Sequence, residues 1–253
     1  MLGALSRRLA AAGLSRAAGS GLRGDGAPSV APPRAVRQAP SPRAGRAGEG
    51  AALPGGVRHV PILPEIMHQG RTNACGPYAL AMAASCFPDL AGRTGRTGAL
   101  SPVETARRLR PFRVPGVGAT MPWGIVLAGR ALGLDVCGHW LGRLADLKRC
   151  VDAGHPAIVV VHPDDFPGCR WHALHYRVVL GYRDDPSLPG GGELYFACSG
   201  AWNDSLEDGR PGNVALSYDQ FRRQWTTYLT INWYAEVAAW PRGAGRPGDV
   251  AWR

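Results

Sequence analysis

Apolar positions are sparse and unpatterned from Met1 to about Gly56, where Ala, Gly, Arg, Ser and Pro dominate, no aromatic residue occurs and bulky apolar residues are scattered Leu and Val. Such a segment buries too little surface to offset the entropy of ordering it, so residues 1–56 are expected to form a disordered tail. The pattern changes at Arg58-His-Val-Pro-Ile-Leu63, a strand-like run. Next, Asn73-Ala-Cys-Gly-Pro-Tyr-Ala-Leu-Ala-Met-Ala-Ala-Ser-Cys86 predicts a helix starting at or just before Cys75, because Pro77 suits a first turn and the Ala/Leu/Met run continues it. Ser101-Pro-Val-Glu104 is a second helix start, with Ser101 as cap, Pro102 in the first position and Glu104 completing a capping box; this helix is expected to reach about Arg110. Residues 121–132 read as a third helix stopped by Gly133. Leu141–Ala153 reads as a fourth, with Leu144, Leu147 and Val151 on one face and Gly154 at its end.

Beyond Gly154 the periodicity becomes that of strands. Pro156–Val161 is a continuous apolar run of the buried kind, Tyr176–Tyr182 is another, and Glu193–Cys198 is a third. Asp184–Gly192 is a hairpin loop by composition. A short capped helix is predicted over Ser217–Trp225, and a final strand over Tyr228–Val237. N-terminal helices followed by an antiparallel sheet define an α+β domain over residues 57–241, with 242–253 as a loose tail.

Composition narrows the classes. A chain of 253 residues allows one medium domain plus tails; its 35 Gly lack a period of three, which excludes collagen, and six Cys are too dilute for a disulfide miniprotein. No apolar run approaches the roughly 20 residues of a membrane-spanning helix. The net charge of +10 invites a nucleic-acid reading, but residues 1–57 hold eight Arg against Asp25 and Glu49, so more than half the excess sits in the tail. No aromatic residue interleaves with those arginines for base stacking, and no specific nucleic-acid partner is expected. Only Lys148 among the basic residues is Lys, and abundant Ala, Gly and Pro accompany the arginines, a pattern that biased base composition in the coding DNA produces. The stretch Leu5–Arg16 is basic, acid-poor and weakly amphipathic, like an organelle transit peptide or a weak twin-arginine signal.

The chemistry concentrates at Gln69-Gly-Arg-Thr-Asn-Ala-Cys-Gly-Pro77. A thiol at a helix N-terminus feels unpaired N–H groups and the positive end of the macrodipole, both favouring thiolate, so Cys75 is the candidate nucleophile. Gly76 would leave room for a substrate backbone, and Gln69 could donate its side-chain amide to a developing oxyanion. Of seven His, His175 heads a strongly apolar strand and is the candidate base; His172, of opposite strand parity, is its rival. Cys169, His172 and His175 are also spaced as metal ligands, with Cys198 as a fourth, but no clear second cluster completes the set, and neither a metal nor another cofactor is expected.

Four pieces in order carry a resemblance: Gln69 with Asn73-x-Cys-Gly-Pro-x-Ala-Leu-x-Met82; Leu147-Lys-x-x-x-Asp-x-Gly-x-Pro-x-Ile-Val-Val160; His175-Tyr-x-Val-Val-x-Gly-Tyr182; and Leu216-Ser-Tyr-Asp-x-Phe-x-x-x-Trp225. Together they resemble the papain-like cysteine peptidases, in particular the bacteriocin-processing peptidases of double-glycine leaders and related bacterial effector peptidases, over about residues 57–240. The resemblance implies a papain-like fold, with Cys75 as nucleophile, His175 as general base and acid, and Gln69 as oxyanion donor. Relatives place an Asp just after the strand that follows the His. Ser199 stands there in this chain; Asn203 and Asp204 follow closely, and Asn203 is taken as the residue that orients His175.

The expected activity is therefore that of a cysteine hydrolase acting on a protein or peptide through a thioester. The same Cys–His pair would serve a glutamine deamidase or an amide or acyl transferase, and the departure at the third position also admits a binding module without chemistry. No transporter segment of the bacteriocin-export kind is present, so a standalone unit is expected. The other five Cys, at 86, 137, 150, 169 and 198, read mostly as reduced core residues suited to a reducing compartment; export or translocation through the tail stays open, as does oligomeric state.

Overall fold

The computed structural model describes residues 50–90, 101–115, 118–163 and 174–239. Expectations for residues 1–49 and 242–253, and for Cys169 and His172, lie outside them. Among the described residues the architecture is α+β: five α-helices and an eight-stranded sheet in which every strand pair is antiparallel. The strands are β1 (Ala51–Leu53), β2 (Val57–His59), β3 (Leu134–His139), β4 (Ala157–Val161), β5 (His175–Asp184), β6 (Gly192–Ala197), β7 (Val214–Ser217) and β8 (Tyr234–Ala239). The helices are α1 (Cys75–Ser85), α2 (Pro102–Leu109), α3 (Pro122–Ala131), α4 (Leu144–Asp152) and α5 (Tyr218–Trp225). No helix among the described residues is long and apolar enough to cross a membrane.

The path β1-β2-β5-β4-β8-β3 forms the main sheet, and β6 joins β5 to β7. Strand β5 organises it. Its first half, His175–Val179, pairs with β4, and Gly181 and Tyr182 pair with β2, while Val178–Asp184 pairs with β6. A bulge between Val179 and Gly181 shifts the β5–β6 register by one residue.

Two apolar layers cover the sheet, which explains why β4 and β5 read as unbroken apolar runs rather than alternating ones. Ile158, Val160 and Val178 face a layer that includes Leu80 of α1 and Ile125 of α3. Val159, Val161 and Val179 face a second layer that includes Leu147 of α4 and Phe221 and Trp225 of α5. Alternate residues thus serve opposite faces, as strand geometry requires.

Local signals set most element ends. Ser101 accepts a hydrogen bond from the Glu104 N–H at 3.1 Å, Ser217 caps α5, and Gly133 and Gly154 adopt φ of 88° and 76° just past α3 and α4. Differences arise where tertiary contacts compete. Helix α4 begins at Leu144 rather than Leu141, because Leu141 has φ 57° and the N–H groups of Leu141 and Gly142 donate to the Ile231 and Asn232 carbonyls at 3.1 Å. The same junction shortens the last strand: Ile231 and Asn232 have φ of 47° and 49°, so pairing starts only at Tyr234. Strand β3, unread in the sequence, inserts between helices and pairs with β8 over its whole length. Strand β1 lies at Ala51–Leu53, within the stretch expected to be tail, and pairs with β2.

Phe221 is fully buried and stacks on Trp225 with ring centroids 5.0 Å apart. Phe221→Ala is expected to lower unfolding free energy by about 3–5 kcal/mol, measured by urea denaturation, through lost transfer energy and the cavity left behind.

Candidate active site

Cys75 is the first residue of α1, and the preceding residue, Ala74, has no side chain able to cap the helix. The first-turn N–H groups are therefore available to other acceptors. Those of Cys75 and Gly76 favour a charge on the Cys75 sulfur, while Pro77, next in line, has no N–H to satisfy. The N–H of the peptide joining His175 to Tyr176 acts in the same sense from across the layer.

Packing fixes this approach. Gly76 is buried, and a Cβ on it would lie 2.6 Å from Oγ1 and 2.7 Å from Cβ of Thr120. The glycine is accordingly required for close packing against Thr120. The Thr120 carbonyl accepts from the Tyr176 hydroxyl at 2.8 Å, so one residue holds both the helix start and the strand. Arg113 adds a tie to the entering loop by donating to the Asn73 carbonyl at 2.8 Å.

Electrostatics follow burial more than the helix terminus. Burial pushes the Cys75 thiol up from its ordinary range; the three N–H groups oppose this, and the nearby Cys198 adds to it. Burial lowers the His175 pKa to about 3, and the charge of Arg177, itself fully buried, contributes in the same direction. Both shifts run against the ion pair expected from a helix N-terminus alone, because burial disfavours both charges.

The surrounding candidates are distributed differently from the sequence expectation. The Gln69 amide nitrogen donates to the Thr72 carbonyl at 2.8 Å and its Oε1 accepts from the Ser199 hydroxyl at 2.8 Å, which anchors the side chain and leaves one amide hydrogen for another acceptor. Asn203, expected to orient His175, donates instead to the Ser205 and Asn213 carbonyls at 3.2 and 2.8 Å. Asp204 takes the His68 ring nitrogen at 2.6 Å, on the surface. Cys198 meets the His175 ring, its Sγ lying 3.4 Å from Nε2. Asn213, also unread in the sequence, brackets Cys198: its Oδ1 accepts the Cys198 N–H at 2.8 Å and its Nδ2 donates to the Cys198 carbonyl at 3.0 Å.

The signal for Cys198 was its place directly after the strand that follows the His-bearing one; the β5 bulge, which no local pattern reveals, decides whether Cys198 or Ser199 comes alongside the ring. Among the described residues no group of three His, Cys, Asp or Glu is arranged to hold a metal ion.

Solved structures similar to this chain are peptidases. One is a double-glycine-motif protease from an AMS/PCAT transporter, in complex with the leader peptide (17% identity, TM-score 0.45, covering 75% of this chain and 98% of that one). Another is the peptidase domain of Streptococcus ComA, a bifunctional ABC transporter involved in a quorum-sensing pathway (22%, 0.43, 69% and 98%). A third is a C39-like peptidase from Bacillus anthracis (13%, 0.46, 72% and 96%). No protein-family profile and no curated protein matches the chain.

Two outcomes follow from the packing and the charge state. Gly76→Ala is expected to cost about 1–3 kcal/mol of stability in denaturant unfolding, since Thr120 must shift to admit the methyl group. His175 links stability to pH: the unfolded ring titrates near 6.5 and the folded ring near about 3, so below the unfolded value the unfolded chain binds the extra proton. Stability is complete above 6.5 and declines as pH falls toward about 3, with a slope approaching about 1.4 kcal/mol per pH unit. His59, lowered by burial, acts in the same direction. Denaturation curves for His175→Gln between about pH 7 and 4.5 are expected to show a shallower decline than wild type.

Proposed function

We propose that this protein is a cysteine hydrolase that cleaves a peptide bond, with Cys75 as nucleophile and His175 as general base and acid. The observation that supports it most directly is the Cys75 thiol at an uncapped helix start, where the N–H of the His175–Tyr176 peptide favours a charge on the sulfur. The thiol proton passes to His175 as sulfur attacks the substrate carbonyl. The first-turn N–H groups of α1, with the remaining Gln69 amide hydrogen, hold the developing oxyanion. Collapse gives a thioester, and the departing amine takes the proton from His175. Water, deprotonated by the same ring, then releases the acid and restores the thiol.

Brief treatment at neutral pH with limiting iodoacetamide and, separately, with an epoxide inhibitor of papain-like enzymes tests this by intact mass. Wild type is expected to take one fast label, Cys75→Ala to lose it while exposed Cys137 labels slowly, and His175→Ala to label at least about tenfold more slowly, as loss of a general base implies. Slow labelling spread over several cysteines, unchanged by either substitution, would overturn the assignment. With peptide substrates, a new N-terminus reports proteolysis, whereas released ammonia with an intact chain reports deamidation.

A further inference from the structure

We infer that Cys198 is the positioning residue for His175, a buried thiol accepting a hydrogen bond from the ring where related chemistry uses a carboxylate or an amide. This rests on the Cys75–His175 reading above and deepens it.

Cys198 is fully buried, and its sulfur lies 3.4 Å from Nε2, within hydrogen-bond range for sulfur. Its backbone is held from both sides by the buried amide of Asn213, which also donates to the Asn203 carbonyl at 2.8 Å. Three polar side chains that follow Cys198 are engaged elsewhere, Ser199 on Gln69, Asp204 on His68 and Asn203 on the Ser205 and Asn213 carbonyls. Asn203 is linked to Cys198 through Asn213.

The contact has a definite chemical sense. With the proton on Nε2 directed at Sγ, the base function falls to Nδ1, which must be unprotonated to accept the Cys75 proton. A thiol sulfur is a weak acceptor. It orients the ring without the electrostatic pull of a carboxylate.

A set of variants separates positioning from packing. Ala and Ser are nearly equal in volume, and both are slightly smaller than Cys, but Ala accepts no hydrogen bond whereas Ser accepts one and is less suited to burial. If Cys198 only fills space, Cys198→Ala equals or outperforms Cys198→Ser. If it positions the ring, the order reverses: Cys75 alkylation by limiting iodoacetamide falls about tenfold or more in Cys198→Ala and stays within about threefold of wild type in Cys198→Ser, as for other supporting shells around reactive groups.

The ring state is read independently by 15N chemical shifts of the His175 imidazole in the full-length wild-type protein. The Nε2–H tautomer is expected, and an Nδ1–H tautomer would overturn the inference even if no variant folds. Should His175→Ala label as fast as wild type, the hydrolase reading itself fails. Should His175→Ala slow labelling while Cys198→Ala labels like wild type, the hydrolase reading stands and Cys198 has no positioning role.

Discussion

Strand β5 is hydrogen-bonded along both edges and covered on both faces, and the candidate site is assembled by reference to it. The N–H of its first peptide favours a charge on the Cys75 sulfur, its first side chain is the base candidate, and its second side chain bonds Thr120, the residue that Gly76 packs against. A strand held in this way cannot slide without exposing every apolar side chain it places in the two layers. The reactive groups inherit that rigidity. They sit at the end of the strand, where regular pairing gives way to loops and side chains become free to meet groups from other elements.

The same burial that fixes the geometry sets the charge. A helix N-terminus favours an anion, and three N–H groups around Cys75 add to that preference. Desolvation exceeds both, raising the thiol and lowering the imidazole. Arg177, buried on the same strand as the base candidate and donating to Gln224 of α5 at 3.1 Å, adds to the lowering of the ring.

The segment leaving β6 connects the separate parts. Over two residues it offers Cys198 to His175 and Ser199 to Gln69, and the Ser199 carbonyl also accepts the Gln69 N–H at 2.9 Å. The loop that carries the oxyanion-donor candidate and the ring that carries the base candidate are thus fastened to the same short stretch. Asn213, at the start of β7, holds that stretch by both its N–H and its carbonyl at Cys198. The role expected of Asn203 is displaced onto this bracket, in which Asn203 is the outer member.

Much of the fold was legible because its signals are local. Ser101 and Ser217 cap their helices, Gly133 and Gly154 end theirs, Cys75 opens α1, and the apolar runs of β4 and β5 become strands. Each of these depends on residues within a turn or a strand of one another, so the sequence by itself determined the α+β class and the position of a thiol at a helix start. The tertiary structure alone decided that α4 starts late at the Leu141 junction, that β3 enters the sheet, that Gly76 serves Thr120, and that Cys198 meets the His175 ring. It also decided the charge state. Register across strands, close approach and desolvation arise from segments remote in the chain, and a linear pattern carries no record of which remote groups will share one buried volume.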